Sequence, residues 1–369
     1  MPRTEGGRRM FRAQVLFAAL FAGLFSQGYA AEFPELVKNL GSRDEFVRGR
    51  AVVGLGDMGA AAREAVATLE ALAKGDPDVW VRFAAADSLR RIKGEKQPPP
   101  QPDARRRARL LLQLDRDWYF QDEDIFARVY FVTDSDEGAA LRGLEVNGGR
   151  SWLYFDVLNA DGKALEYRGF IIDRRFPPPP VEITRAAPHV ETVNLRWLYR
   201  PREPGEYRVT ARYNDRPLAP DRAVELRSET LKIPIVKADA MQSLGRDITF
   251  PESPSELFLA RAGNERVFVV SRLVAREVAV RRLPDGIGLS EKATLVSCLD
   301  SLHYFGIHIA LGPGRSLLVN VGEHSPVVRS RVVLVDAKEL QLRADTTRGL
   351  GWMLVDRKRK EYYDDLPRP

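Results

Sequence analysis

The chain has 369 residues, of which 44% are hydrophobic and 29% are charged. That length predicts two to four domains, and the composition supports apolar cores and excludes a broadly disordered chain. The formal net charge is only +6, with charges of both signs interspersed, so nothing in the sequence favours nucleic-acid binding.

Residues 1–30 have the pattern of an export signal. Arginines precede an apolar run, Val15–Phe25, and small residues follow it around Ala30. Because the run is much shorter than the roughly 20 apolar residues that span a bilayer, we expect cleavage after Ala30 and not a retained anchor. The mature chain is then extracytoplasmic, either periplasmic or secreted, with no integral membrane segment. The pair Arg8-Arg9 leaves both the Sec route and the twin-arginine route open.

Residues 31–93 contain an internal repeat. One motif occurs twice at the same spacing, and both copies consist of an aspartate, a valine, an arginine, an alanine and a leucine: Asp44, Val47, Arg48, Ala51 and Leu55, then Asp78, Val81, Arg82, Ala85 and Leu89. In each copy the apolar positions fall at i, i+4 and i+8, which places them on one stripe of a helix. A shorter amphipathic segment precedes each copy, so the repeat predicts four helices in two hairpins.

This motif resembles the HEAT-repeat family, in the short form that is common in bacteria and is also met in phycobilin-lyase-like proteins. The resemblance specifies a fold and implies structural roles, capping and bridging successive turns, for four residues: Asp44, Arg48, Asp78 and Arg82. Two repeats are fewer than the three that a self-sufficient solenoid usually needs. Three apolar residues are therefore expected either to pack on the β domains or to form an interaction surface for a protein partner: Phe46, Trp80 and Phe83.

A proline-rich linker, residues 94–104, separates the helices from a region of predicted strands. In residues 105–236, short apolar segments alternate with turn signals, as in an antiparallel β-sandwich. Seven strands are predicted here: Leu110–Leu114, Phe126–Val132, Trp152–Leu158, Leu165–Ile172, Thr192–Tyr199, Tyr207–Tyr213 and Val224–Ile235.

The segment Pro204–Ala211 resembles the penultimate strand of immunoglobulin-like domains. The resemblance implies a β-sandwich of the bacterial immunoglobulin-like type, in which Tyr207 closes a corner and Val209 replaces a core cysteine. Trp152 and Trp197 are the two candidates for its core tryptophan.

No metal or cofactor site is predicted. The acidic runs Asp122–Asp124 and Asp134–Glu137 lack the spacing of a calcium-binding loop, so we expect solvated turns. His303 and His308 would face opposite sides of a strand, because their separation is odd. The single cysteine, Cys298, has apolar neighbours and is expected to be a buried, inert thiol.

Residues 252–369 are predicted to form a second antiparallel β domain, with strand-like segments from Glu256 to Arg357. A weak internal similarity between the segments around Gly263 and Gly312 has nearly the spacing of propeller blades. The region has room for two or three blades and a ring needs at least four, so a sandwich or compact meander is favoured.

The predicted architecture is multidomain, α then β. A repeat arm and a β-sandwich present surfaces and bring no chemistry of their own, so the sequence favours binding over catalysis. We expect an exported, non-catalytic adaptor that binds a protein partner. The alternative is binding or processing of a glycan by the C-terminal β domain through aromatic residues: Tyr304, Phe305 or Trp352.

Overall fold

The structure is a computed structural model that describes residues 32–95, 107–142, 144, 152–169, 179–215 and 223–247, together with the strands between Ser255 and Tyr363. Its first part is a helical arm. The arm consists of α1 (32–39), α2 (Glu45–Asp57), a 3-10 helix (Gly59–Ala65), α3 (Val66–Gly75) and α4 (Val79–Ile92). The predicted helical region is therefore confirmed. In the described part of the chain, every helix is too short or too polar to cross a membrane.

Two glycines let α2 and α4 approach each other closely. A Cβ at Gly49 would lie 2.2 Å from the Trp80 ring, and a Cβ at Gly56 would lie 2.4 Å from Oγ of Ser88. The Ser88 hydroxyl donates a hydrogen bond to the carbonyl oxygen of Val52 at 2.9 Å. The two motif-bearing helices are thus joined by both packing and a buried hydrogen bond.

The described residues between 107 and 236 form two larger sheets and one strand pair around one apolar core. The first sheet is antiparallel, in the order β1 (Ala108–Leu114), β3 (Phe126–Thr133), β7 (His189–Asn194). The second has the order β2 (Tyr119–Phe120), β10 (Leu231–Val236), β8 (Gly205–Asn214), β5 (Trp152–Leu158), with β9 (Glu225–Arg227) also paired to β8. A separate pair consists of β4 (Ala139–Leu141) and β6 (Val181–Ile183). Phe131 of the first sheet meets Tyr213 of the second edge to face, with ring centroids 5.4 Å apart.

The first sheet is buried on both faces. Along β3, Ala127, Val129 and Phe131 lie in the core between the sheets, whereas Tyr130 and Val132 lie in the core of the helical arm. Successive residues of a strand face opposite sides, so one strand supplies two cores. The helical arm, the first sheet and the second sheet are therefore three packed layers.

One predicted strand is half helix. β7 ends at Asn194, whose side chain accepts a hydrogen bond from the backbone N–H of Arg196 at 3.1 Å and begins α5 (Leu195–Tyr199). The predicted strand Thr192–Tyr199 is therefore wrong beyond Asn194, because this N-cap stabilises a helix where apolar residues nearly alternate.

Two further predicted strands differ from the structure. Val224–Ile235 is two strands, β9 and β10, separated by a short connection. Residues 165–169 of the predicted strand Leu165–Ile172 form no strand, and the rest of that segment lies outside the described residues. The Leu165 N–H instead donates to the carbonyl oxygen of Val157 beside the edge of β5.

In the strands that the structure describes beyond Val236, three antiparallel sheets follow in chain order. They comprise β11 (Ala240–Asp247), β12 (Ser255–Ala262), β13 (Arg266–Leu273) and β14 (Val278–Arg282), then β15 (Ala293–Thr294), β16 (Tyr304–Gly312), β17 (Arg315–Gly322) and β18 (Val328–Val333), and finally β19 (Leu340–Ala344), β20 (Trp352–Asp356) and β21 (Tyr362–Tyr363). Each sheet is a meander in which consecutive strands pair, so the strand-rich C-terminal region is confirmed. Sequence reasoning missed β11, which precedes residue 252 and yet pairs with β12.

The β14 strand is attached to the loop before β3 by a buried carboxylate. Glu123 accepts hydrogen bonds from Nη2 of Arg282 at 2.9 Å and from the Phe120 N–H at 2.8 Å, and it also contacts Arg116. The Arg282 guanidinium lies over the Trp118 ring, 4.5 Å from its centroid. Glu123 is thus a structural anchor and not part of a solvated turn.

Candidate functional site

The two motif aspartates begin the two motif helices. One Asp44 oxygen accepts hydrogen bonds from the backbone N–H groups of Phe46 (2.7 Å) and Val47 (3.2 Å). One Asp78 oxygen does the same for Trp80 (2.9 Å) and Val81 (3.2 Å). Both side chains are N-caps in the structure, the role that the HEAT resemblance gives them.

The motif arginines hold the turn that precedes each helix. Arg48 donates to the carbonyl oxygen of Ser42 at 2.8 Å, and Arg82 donates to that of Asp76 at the equivalent place in the second repeat. Arg48 also forms a buried two-bond ion pair with the Asp76 carboxylate, at 2.8 and 2.9 Å. The hydrogen bond to Asp76 raises the pKa of Arg48, although burial opposes that shift. The pair bridges the two repeats.

A strand occupies the place where a third repeat would follow. By the spacing of the motif, the residue equivalent to Asp76 in a third repeat is Leu110, which lies in β1 and is buried in the core between the sheets. Arg48 pairs with Asp76, but Arg82 has a leucine, Leu110, at the equivalent position and so cannot form the same ion pair. The first sheet covers the end of the helical arm instead.

The contact between α4 and the first sheet, which we term the arm–sheet junction, involves every turn of α4. The Val79 N–H donates to Oε1 of Gln113 at 2.9 Å, and the Phe83 ring lies under the Arg109 guanidinium, 5.8 Å from its carbon. Further along α4, Asp87 binds Arg185 and Arg91 binds Asp136. These four positions on α4 are spaced by four residues and share one helix face.

An ion network closes the far end of this junction. Arg185, from the connection between β6 and β7, donates to Oδ2 of Asp87 at 3.1 Å and to Oδ1 of Asp136 at 3.3 Å, and it also binds Asp57 at the end of α2. Arg91 bridges the same Asp87 and Asp136 at 3.1 and 3.0 Å. The Arg185 side chain is buried, so both motif helices and the β region share one buried cation.

The acidic run 134–137 is part of this network. Asp134 is buried and accepts a hydrogen bond from Nε of Arg107 at 3.0 Å. Burial alone would raise the pKa of Asp136, but the hydrogen bonds and charges of Arg91 and Arg185 hold it below its usual value. The predicted solvated turn is therefore wrong for Asp134. Its partners are distant in sequence, so spacing along the chain could not reveal them.

The three candidate surface residues of the arm pack inward to different degrees. Trp80 is only 1% exposed and lies 5.6 Å from the Phe46 ring, centroid to centroid. The structure therefore removes Trp80 from the candidate interaction surface, because the arm and the first sheet bury it. Phe46 and Phe83 are half-buried at the edge of the same core.

The residues to which the immunoglobulin-like resemblance gives corner and core positions can be located in the structure. The Tyr207 hydroxyl donates to the carbonyl oxygen of Glu203 at 2.9 Å, and Val209 is fully buried between the sheets. Trp152 is buried at the start of β5 with a φ of 66°. Trp197 is 67% exposed, so the expectation that it could be a core tryptophan is wrong.

Several predictions concern residues that the structure does not describe. Cys298, His303 and His324 lie outside the described residues. For three aromatic residues only the backbone is described, in β16 and β20: Tyr304, Phe305 and Trp352. In the described part of the chain, no group of His, Cys, Asp and Glu side chains is arranged to hold a metal ion.

Among the comparisons with known proteins, the family match supports the prediction of helical repeats. No curated protein matches the chain. Among solved structures, the sporulation control protein Spo0M from Bacillus subtilis is 10% identical, with a TM-score of 0.20 over 48% of this chain and 89% of the other. The alkylpurine DNA glycosylase AlkC from Pseudomonas fluorescens, bound to DNA with an abasic-site analog, is 11% identical, with a TM-score of 0.20 over 57% and 65%. Residues 33–121 match the family model of HEAT repeats, so the helical arm is similar to HEAT repeats, and the matched range extends into β1 and β2.

Proposed function

We propose that this chain is an exported, non-catalytic binding protein that acts as an adaptor between proteins. The observation that carries the proposal is the HEAT-repeat match over residues 33–121. Repeats of this kind generally mediate protein–protein interaction by presenting an extended rigid surface. The motif residues Asp44, Arg48, Asp78 and Arg82 have structural roles, because they bind within the arm and, through Asp78, to the first sheet.

The β region contributes a second rigid module, which we assign to the immunoglobulin-like type. Its support is the pair of sheets around one core, with the Tyr207 hydroxyl bound to the backbone of Glu203 and Val209 in the middle of that core. Such sandwiches present loops and edges for binding and do not bring a catalytic group of their own. The arm and the sandwich would then act as one rigid body.

The arm–sheet junction determines which surface of the arm a partner can reach. In α4, Val79 and Phe83 contact Gln113 and Arg109 of the first sheet, and Asp87 is bound by Arg185 of the connection between β6 and β7. A partner would therefore contact the outer surface of the arm, the sandwich, or both. This differs from an open solenoid, in which an inner helix face is free for the partner.

The test of export is the state of the N-terminus in the native cell. The arginines, the apolar run Val15–Phe25 and the small residues around Ala30 support a cleaved signal. We expect the protein in the extracytoplasmic fraction, with Ala31 as its first residue by N-terminal sequencing. Cytoplasmic protein that retains residues 1–30 would contradict export, and loss of export in Arg8→Lys/Arg9→Lys would identify the twin-arginine route.

The test of the adaptor function is cross-linking in the native cell envelope, followed by mass spectrometry. The bait is the chain from Ala31 onward, and the control bait is an unrelated exported protein of similar net charge. We expect reproducible cross-links between one envelope protein and surface lysines of the arm or the sandwich. Enrichment of no protein over the control bait would contradict the adaptor function. A bait without the arm is not a suitable control, because it would expose the buried Tyr130 and Val132 of the first sheet.

A further inference from the structure

One aromatic side chain of the sandwich projects into solvent. Among the described residues, the large apolar side chains that are exposed are Trp197 (67%), Met241 (42%) and Val37 (39%). Trp197 is the largest of these and lies on α5, the short helix that follows β7. Burying an indole removes more apolar surface from water than burying most other side chains, so this exposure is costly unless a partner covers the ring.

The indole of Trp197 is held in place. Its Nε1–H donates to Oδ1 of Asp124 at 3.3 Å, and the same oxygen accepts from Nδ2 of Asn194 at 2.9 Å and lies 3.4 Å from Nη1 of Arg196. On either side of Trp197 in sequence, Leu195 and Tyr199 are buried and attach α5 to the sandwich core. A ring that is fixed before binding loses little conformational entropy when a partner covers it.

Arginines precede and follow this tryptophan in the chain and lie beside its helix, where the acidic side chains are Asp124 and Glu166. Arg196 precedes Trp197, and Arg200 ends α5 with an exposed side chain and a left-handed backbone, φ 47°. Arg168 is placed beside the helix because its N–H donates to the carbonyl oxygen of Leu198 at 2.6 Å. The Arg168 guanidinium is 54% exposed and lies 3.9 Å from an even more exposed Glu166, so water screens that pair and leaves the arginine available to another carboxylate.

We infer that the Trp197 patch, defined as Arg168, Trp197 and Arg200, binds an acidic segment of a protein partner. An apolar side chain of that segment would cover the indole, and its carboxylates would accept hydrogen bonds from the guanidinium groups. Trp and Arg are the residues most enriched among those that dominate binding energy at protein interfaces. This inference rests on the proposed binding function and assigns a surface and a partner chemistry to it.

The chemistry of the patch favours an acidic peptide over a glycan or a membrane. Sugar hydroxyls need acceptors as well as donors, but guanidinium groups only donate and Oδ1 of Asp124 already accepts three hydrogen bonds, which leaves Glu166 beside Arg168 as an exposed acceptor next to a patch of donors. Attachment to a membrane needs several apolar side chains on one face, and the patch offers a single ring. Planar guanidinium groups match carboxylates in geometry as well as in charge.

The experiment is a selection of short random peptides displayed on phage, using the chain from Ala31 onward as the target. We expect enrichment of peptides rich in Asp and Glu around one apolar residue. Trp197→Ala should weaken binding of an enriched peptide about tenfold, and Arg168→Glu/Arg200→Glu should do the same. Trp197→Phe keeps an aromatic face and should weaken binding less. Two exposed positions outside the patch provide controls, Val37→Ala and Arg208→Glu, and these should bind within about twofold of the parent chain.

The inference would be overturned by the absence of any enriched peptide, by enrichment of peptides without carboxylates, or by binding that Trp197→Ala leaves unchanged in a folded protein. Binding of neutral oligosaccharides or of anionic lipid vesicles that depends on Trp197 would also overturn it. The envelope cross-linking separates this outcome from the broader proposal. If Trp197→Ala captures the same partner as the parent chain, the adaptor function stands and this surface assignment fails.

Discussion

Tyr130 donates a hydrogen bond to Oδ2 of Asp78 at 2.6 Å, while Oδ1 of the same carboxylate caps α4. One motif residue thus fixes both the start of a helix and the middle strand of the first sheet. Both side chains are buried. Burial raises the pKa of the Tyr130 hydroxyl, and the hydrogen bond to Asp78 adds to that shift.

Tyr130→Phe should lower the free energy of unfolding by about 2 kcal/mol, because it leaves a buried carboxylate oxygen without its donor. Urea unfolding followed by circular dichroism measures this loss. Tyr154 of β5 is half-buried and provides the matched control. Tyr154→Phe should change stability by less than about 0.5 kcal/mol. Equal stabilities of the two variants would show that the Tyr130 hydrogen bond contributes nothing.

Substituting the two motif aspartates should have unequal effects. Asp44→Ala removes an exposed helix cap and should cost about 1 kcal/mol. Asp78→Ala removes a cap and also leaves the Tyr130 hydroxyl without its acceptor, so it should cost about 3 kcal/mol. The two unfolding curves can be compared in one experiment. The same loss in both variants would mean that the two repeats are energetically equivalent.

Gly49→Ala should destabilise the arm by about 2 kcal/mol, because its new methyl group would overlap the buried Trp80 ring. Gly75, the last residue of α3, has no atom within 4 Å of an added Cβ. Gly75→Ala should therefore be neutral or stabilising by up to about 1 kcal/mol. Thermal unfolding of both variants provides the comparison. A stable Gly49→Ala protein would refute close packing between α2 and α4.

Arg185→Met should cost about 3 kcal/mol, because it removes one partner of a buried ion pair while leaving Asp87 in place. The double variant Arg185→Met/Asp87→Leu should lose less than the sum of the two single variants. Arg208, an exposed arginine of β8, is the control position for the loss of a surface charge. Additive effects of Arg185 and Asp87 would show that the two side chains do not interact.

The stability contributed by Asp136 should depend on pH. Its folded-state pKa is lower than the unfolded value of about 3.9. Its stabilisation is therefore fully present above that unfolded value and is lost as the pH falls through the lower folded value. We expect Asp136→Asn to be less stable than the parent chain at neutral pH, with the difference shrinking below about pH 4. Urea midpoints across this range measure it, and a difference that stays constant would contradict the assignment.

The repeat motif revealed the helical arm because its chemistry is local. Asp44 and Asp78 cap helices that begin at the next residue, so both the residue type and its position carry the signal. The sequence also contains a feature that is consistent with burial of the first sheet on both faces. Val129–Val132 is a continuous apolar run, which is typical of a strand that is covered on both faces. Packing of the arm on the β region was one of two alternatives, the other being a surface for a protein partner. The sequence leaves both open because it does not show which surfaces contact each other.

The Trp197 patch was missed for two physical reasons. The segment Leu195–Tyr199 has apolar residues at alternate positions, a pattern that favours a strand, whereas the Asn194 cap begins a helix there. The second reason is distance along the chain, because Asp124 and Arg168 reach α5 only in the folded protein. The Arg185 network was hidden in the same way, since its carboxylates come from three separate segments.

The strand in the place of a third repeat fixes the length of the arm. An ordinary solenoid can gain or lose units during evolution, because each unit offers its successor the same surface. Here α4, the last helix of the arm, contacts Gln113, Arg109 and Arg185 at the face that would otherwise pack on another helical pair. A duplicated unit inserted after Ile92 would have to displace those contacts and uncover the first sheet. Homologues that share this architecture are therefore expected to vary in loops and surface residues while keeping two repeats.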